Sequence, residues 1–356
     1  MKAVLLTEPE RFEPIDIDEP AEPGDGEAVV RVHRVGVCGT DVAAFRGKMP
    51  LLSYPRILGH ELGVEVLAVG SAVTNVRVGD RCSVEPYLDC GDCFACRRGR
   101  GNCCERLAVL GVHVDGGLRP RFTVPARKLH PSSQLTLEQL ALVETLAIGA
   151  HAVRRAALSA EATVAVVGAG PIGLSVAAFA HLAGAHVVAI DRDARRLEFC
   201  QAALGVPQTL VAESAGRDEA SGGDAVRDNA DGVAERLRDL LDGELPLLVF
   251  DVTGNPDSMA AAFSLVAPTG RLVFVGLTGA EITFRPAQMH VREMTLLASR
   301  NALPADFAEV IAALESGRLN IDPWLTHRTS LDGFIGDFAA LADPAQGVIK
   351  ALVEVE

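Results

Sequence analysis

The run Thr163-Val-Ala-Val-Val-Gly168-Ala-Gly170-Pro171-Ile172-Gly173, followed by an apolar stretch and then His186-Val-Val-Ala-Ile-Asp191, decides the architecture. It reads as a strand, a glycine turn, a helix to about Ala183 and a second strand ending in Asp191. From Ala162 to Ile190 there is no Asp, Glu, Lys or Arg, a length that could span a membrane. Gly168, Gly170, Pro171 and Gly173 break that run near its start, so the stretch is predicted to be buried core. The glycines match G-x-G-x-x-G, a weak pattern alone but a strong one between a strand and a helix. The first permits a tight turn, the second lets the backbone approach a pyrophosphate, and the third lets helix and strand pack closely. The phosphate would sit at the helix N-terminus, where free N–H groups and the helix dipole favour an anion. Asp191 can accept hydrogen bonds from both ribose hydroxyls and would repel a 2′-phosphate, so NAD is expected over NADP. Arg192, directly after it, softens that preference.

Working outward, further strands are predicted at Leu247–Val252 and Arg271–Leu277 with helical patterns between, the alternation of an open parallel sheet. Glu213–Arg236 is polar, acidic and rich in Gly, Ala, Asp and Ser, and reads as a mobile surface excursion without chemistry. The first 130 or so residues are β-rich, with Val-rich runs such as Glu27–His33 and Leu62–Val69 between Gly and Pro clusters. A helix over Thr136–Leu158 links the two parts, and from about Met289 two helical segments precede an apolar strand, Gly347–Val355.

The chain has 356 residues, enough for two domains with ample core, and its 49% apolar and 22% charged content is ordinary for a folded globular protein. A net charge of −14 disfavours nucleic-acid and anionic-membrane partners. The N-terminal apolar stretch is too short for a signal peptide, which favours a reducing cytoplasm. The eight cysteines there are expected as metal ligands or buried thiols rather than disulfides.

Cys90, Cys93, Cys96 and Cys104 stand in the spacing C-x2-C-x2-C-x7-C. Four thiolates at that spacing can close a tetrahedral zinc site with no open position, which stabilises a lobe and does not catalyse. An iron–sulfur cluster also takes four thiolates, but with different gaps. Arg97, Arg98, Arg100 and Arg106, interspersed among these cysteines, read on an acidic chain as a solvated loop or a subunit contact.

Gly36-Val-Cys-Gly-Thr-Asp41 and Gly59-His-Glu61 each offer a metal ligand flanked by glycine. Together with the four-cysteine lobe they resemble the motifs of the medium-chain zinc-dependent alcohol dehydrogenases, and the resemblance covers essentially the whole chain. It implies a catalytic zinc on Cys38 and His60 with Glu61 beside it. Val143–Gly149 carries Glu144 where the classical alcohol dehydrogenases have a cysteine, so it is similar to the sorbitol and threonine dehydrogenase branch, in which Glu144 would bind zinc directly or through its water. Glu144 also stands out alone: a charge on an apolar helix face is costly to bury unless paired or metal-bound, the alternative being a surface carboxylate. The resemblance further implies that Thr40 takes the alcohol proton and that Asp41 accepts from the second nitrogen of His60. Ala43 replaces a histidine of the outer relay in many relatives. The match places Arg196 near the adenine, Val275 and Gly276 near the nicotinamide, and Arg300 where an arginine orients substrate; Arg46 is a second candidate for holding a substrate carboxylate.

By this resemblance residues 1–152 and 290–356 form a GroES-like, β-rich catalytic domain with a structural zinc lobe, and residues 153–289 form a Rossmann domain, a doubly wound parallel sheet in an α/β chain. The implied enzyme is a homo-oligomer, dimer or tetramer, with two zinc ions per chain and NAD, oxidising a secondary hydroxyl of a polyol or sugar acid. The run from Phe45-Arg46 through Leu51–Arg56 into Gly59-His-Glu61, with the Gly111–Gly117 loop, resembles galactonate-type sugar-acid oxidoreductases. Threonine or short-chain secondary alcohol oxidation, and a non-catalytic dinucleotide-binding relative, are the alternatives.

Overall fold

The structure is a computed structural model describing residues 1–212 and 224–355. It divides into two units, Met1–Ala147 with Asn301–Glu356, and Ile148–Arg300.

The second unit is built on a six-stranded, wholly parallel sheet: β1 (Thr163–Val167), β2 (His186–Asp191), β3 (Gln208–Val211), β4 (Leu248–Asp251), β5 (Arg271–Phe274) and β6 (Thr295–Ala298), in spatial order β3-β2-β1-β4-β5-β6. β1 lies between β2 and β4, so Val164, Ala165 and Val166 are buried on both faces, which is why the run has no polar alternation. The strand order reverses at β1, the switch point at whose carboxyl ends such sheets bind ligands. Pro171 opens the helix Pro171–Leu182 immediately after the glycine turn, a first-turn position where its missing N–H costs nothing. Asp193 caps the next helix, Ala194–Leu204, by accepting from Arg195 N at 3.0 Å.

Two sequence expectations are corrected here. β6 extends the parallel sheet beyond residue 289, so this unit runs to Arg300, and its start falls at Ile148 inside the helix Leu137–Arg155 instead of at 153. Of the acidic stretch 213–236, expected as a mobile surface excursion, residues 213–223 lie outside the described residues and the remainder belongs to the helix Asp224–Leu240. Val233, Ala234 and Leu237 of that helix pack into the core with Ile190, Val249 and Phe263, an apolar face that the charged composition concealed.

In the first unit the long strand Glu27–Val37 is the spine. It pairs antiparallel with Glu61–Val69, with Arg121–Pro125 and with Lys350–Glu354, within a seven-stranded sheet. The apolar strand expected at 347–355 thus closes the first unit: Ala351 faces Val37 and Glu354 faces Arg34. A three-stranded sheet (Arg11–Asp16, Lys2–Glu8, Arg56–Ile57) shares the same core, where Val30, Val32, Leu62, Val64, Phe122 and Phe338 meet. No helix among the described residues is long and apolar enough to cross a membrane.

Candidate metal centres and cofactor turn

The lobe forms from local turns. Cys93 precedes the short helix Phe94–Arg97, and Cys104 follows the turn Gly101–Cys103. The sulfurs converge: Cys90 to Cys96 and Cys93 to Cys104 are 3.9 Å apart, Cys93 to Cys96 and Cys90 to Cys104 3.4 Å. Sulfurs held at about 2.3 Å from one tetrahedral ion stand about 3.8 Å apart, so the four cysteines fit zinc. All are free thiols, and backbone N–H groups point at sulfur, from Cys90 and Arg106 to Cys104 at 3.3 Å. The N–H groups of Cys96 and Glu105 hold the Cys93 thiol down, while burial and the contact with Cys93 push the Cys96 thiol up. Asp89 ties the lobe to the sheet: its Oδ1 meets Arg127 at 2.6 Å and Lys128 Nζ at 2.7 Å, and Lys128 also pairs with the buried Glu85. Although burial opposes it, Arg127 and Lys128 hold the Asp89 carboxyl below its ordinary range.

The second centre depends on strand register. Gly36 is the partner of Glu61, and Ala351 the partner of Val37, so Glu61 and Lys350 approach one strand end from opposite sides. Lys350 Nζ donates to Glu61 Oε1 and, at 3.3 Å, to the Val37 carbonyl. Both side chains are almost wholly buried, at 2% and 1% exposure. Burial favours the neutral forms, but Lys350 and His60 together outweigh it at Glu61, and Glu61 with Cys38 outweighs it at Lys350, so the Glu61 pKa is lowered and that of Lys350 raised. Gly36 has no alternative: a Cβ there would lie 2.0 Å from Glu61 Oε2. That Oε2 is buried without a hydrogen-bond partner, and Glu61 belongs to one cluster of possible ligands with the cysteine and histidine.

Cys38 caps the helix Gly39–Phe45, and its backbone N–H donates to Asp41 Oδ2 at 2.9 Å. Asp41 Oδ1 faces His60 Nδ1 at 3.8 Å; both atoms are buried and otherwise unpartnered, so the expected pairing is present as a facing contact, not a formed hydrogen bond. Cys38, His60 and Glu61 offer ligand atoms within 4.8 Å of one another, and with the unpaired Glu61 oxygen they fit a divalent cation. Burial lowers the affinity of His60 for a proton, but Cys38, Asp41 and Glu144 outweigh it and raise its pKa well above the usual value.

Glu144, on the helix Leu137–Arg155, is 4% exposed, which removes the surface-carboxylate reading. It lies outside the Cys38–His60–Glu61 set and accepts a hydrogen bond from the buried Tyr87 hydroxyl. Burial pushes its carboxyl up, His60 draws it down, and Glu61 pushes it up again. Thr40 follows Cys38 by two residues and is half-buried. Arg46 is exposed and donates to the Ala342 carbonyl at 3.0 Å. Sequence reasoning missed Tyr87 and Lys350.

In the second unit Asp191 is pinned by two backbone N–H groups, Ala169 to Oδ2 at 2.6 Å and Asp193 to Oδ1 at 2.9 Å, so its carboxylate is fixed beside the glycine turn. Gly173 is forced: a Cβ there would sit 1.7 Å from the Gly168 carbonyl. Arg196 Nη1 lies 3.5 Å from where a Gly170 Cβ would be, which places this cation beside the second glycine of the turn. Val275 and Gly276 follow the end of β5, both half-buried, and Arg300 is exposed after β6.

Residues 24–134 match the alcohol dehydrogenase GroES-like domain, and residues 171–316 match the zinc-binding dehydrogenase family. The chain is 40% identical to L-galactonate-5-dehydrogenase of Escherichia coli over 86% of its own length and 85% of that protein. It belongs to the zinc-dependent medium-chain alcohol dehydrogenase family. A second relative of this dehydrogenase, 2-dehydro-3-deoxy-L-galactonate 5-dehydrogenase of Pseudoalteromonas atlantica, is 31% identical over 93% of this chain and 92% of that one. Among solved structures, the RspB alcohol dehydrogenase of Escherichia coli in complex with NADH superposes with a TM-score of 0.87 at 27% identity, covering 99% of each chain.

Proposed function

We propose that this dehydrogenase oxidises a secondary hydroxyl of a sugar acid, in preference to the uncharged polyol, with NAD as the acceptor. The observation that carries the reading is the Cys38–His60–Glu61 set, half-buried at the cysteine and buried at the other two, with one unpaired carboxylate oxygen, in a chain similar to two galactonate-type dehydrogenases. Cys38, His60 and Glu61 would hold a zinc that supplies Lewis acidity to the hydroxyl, and NAD on the glycine turn supplies the hydride acceptor. Thr40 takes the hydroxyl proton as the carbon gives up its hydride, so two electrons and one proton leave with the hydride and the second proton leaves through the threonine. Each Asp191 oxygen uses one lone pair on a backbone N–H, and a carboxylate oxygen has a second for a ribose hydroxyl. Arg300 is the cation we infer to bind the carboxylate of the acid.

A screen of aldonic acids against their neutral polyols, followed by NADH absorbance with NAD and NADP supplied separately, tests this. The acid with NAD should turn over best, and Arg300→Ala should lower kcat/KM for the acid by about 2–3 kcal/mol. Equal rates on acid and polyol, unchanged by the substitution, would remove the sugar-acid reading.

The enzyme is further proposed to be a homo-oligomer that joins copies through the edge of the parallel sheet. β6 is an outer strand with Thr295, Leu296 and Ala298 exposed, and Leu277 and Val291, on the same unit, are 70% and 77% exposed. An unpaired edge flanked by exposed apolar side chains is a template for a second copy. Sedimentation of Leu296→Lys with Val291→Asp should give monomer where the parent gives a multiple of it; unchanged mass would place the interface elsewhere.

A further inference from the structure

Two buried carboxylates flank Cys38 and His60, and their protein partners differ in kind. Glu61 is held by a cation, Lys350, through one oxygen, and keeps the other unpaired. Glu144 is held by a neutral donor, the Tyr87 hydroxyl, and lies outside the set of mutually close ligand atoms. Tyr87 is 3% exposed and is fixed by rigid surroundings: its short strand Tyr87–Leu88 pairs with Ala108–Val109, and its ring meets Phe307 edge-on at 6.5 Å.

From this geometry we propose that Tyr87 is a positioning residue that keeps Glu144 out of the ligand set of the metal, so that Glu61 serves as the third protein ligand and a coordination position stays open for substrate; this rests on the zinc reading above. A closed set of four protein ligands makes a structural site, and an open position makes a catalytic one. The chain brings four possible ligands to this centre, so something must restrain the fourth. The tyrosine hydroxyl does so without cancelling the carboxylate charge, whereas Lys350 neutralises Glu61. A buried carboxylate deprived of its donor is costly and turns to the nearest cation.

The test follows zinc itself. Enzyme purified with two zinc ions is mixed with excess 4-(2-pyridylazo)resorcinol, and the phase of zinc release that is missing in Cys38→Ser is assigned to this centre. Tyr87→Phe, which keeps the ring and removes only the hydroxyl, should slow that phase by about tenfold, within the range by which groups behind a metal ligand alter affinity, and leave the four-cysteine phase unchanged. In a Glu144→Gln background the same substitution should have no further effect, because the carboxylate that moves in is gone. An unchanged release rate in Tyr87→Phe, or a change that persists in full beside Glu144→Gln, would overturn the inference and reduce Tyr87 to packing. If the parent enzyme shows no Cys38-dependent phase at all, it is the zinc reading that fails.

Discussion

All four ligands of the cysteine lobe come from residues 90–104, whereas the second centre draws Cys38, His60 and Glu61 from a helix cap, a loop and a strand, and Glu61 is held by Lys350, 289 positions further along the chain. The lobe is partly exposed, its sulfurs are steadied by backbone N–H groups of the same loop, and its ties to the sheet are the ion pairs of Asp89 with the exposed Arg127 and the buried Lys128. The other centre is buried at His60, Glu61 and Lys350, and the register of the spine strand against two neighbours brings Glu61 and Lys350 together. A closed site can be written in a short segment because it needs only spacing. An open site needs a fold around it that holds charged groups apart from one another and from water.

The sharpest way to break this contrast is to remove one ligand from each centre. Cys38→Ser should leave a folded protein with one zinc by elemental analysis and lower turnover by about 10³-fold, the several kcal/mol expected of lost Lewis acidity. Cys93→Ser should instead unfold the lobe and lower thermal stability, because binding energy at a closed site is folding energy. A single zinc in active parent enzyme would contradict both. The next largest effect concerns the charge that the second centre buries beside its ligands. Lys350→Met leaves Glu61 without its cation and should cost about 3–5 kcal/mol in denaturant unfolding; a cost near zero would show that the bound metal alone neutralises the carboxylate. The smallest effect belongs to the lobe. Asp89→Asn removes the ion pairs to Arg127 and Lys128 and should cost about 1–3 kcal/mol at pH 7. Because the folded-state pKa of Asp89 is depressed, its contribution is complete above the unfolded value of about 4 and is lost as pH falls through the folded value. The difference between parent and Asp89→Asn should therefore shrink below about pH 4 and stay flat above it.

Legibility in the sequence followed the same division. The glycine turn, Asp191 and the cysteine lobe are local patterns, and the structure assembles each within a single loop or βαβ segment. Cys38, His60 and Glu144 were legible because a ligand type stood beside glycine or a charge stood on an apolar face. Lys350 carried the same signal, a lone cation in the apolar run 347–355, but nothing local says which carboxylate a strand will meet. Tyr87 gave no periodic sign at all, since its meaning lies in a contact with a helix 57 positions away. β6 and the helix Asp224–Leu240 were lost for a different reason: an edge strand and an amphipathic surface helix bury too little for composition to reveal them.

The pairing of Lys350–Glu354 with the spine strand also has a consequence for the order in which the enzyme is made. Residues 148–300 are contiguous and emerge from the ribosome with every strand of their sheet to hand, so they can fold while synthesis continues. The spine strand, although translated first, must wait more than 300 positions for the strand that brings Lys350 to Glu61, as the 313-residue separation of Lys350 from Val37 records. Until then Glu61 is an unneutralised carboxylate beside Cys38 and His60. The nascent first unit therefore lacks the lysine that pairs with Glu61 until translation of the second unit is complete.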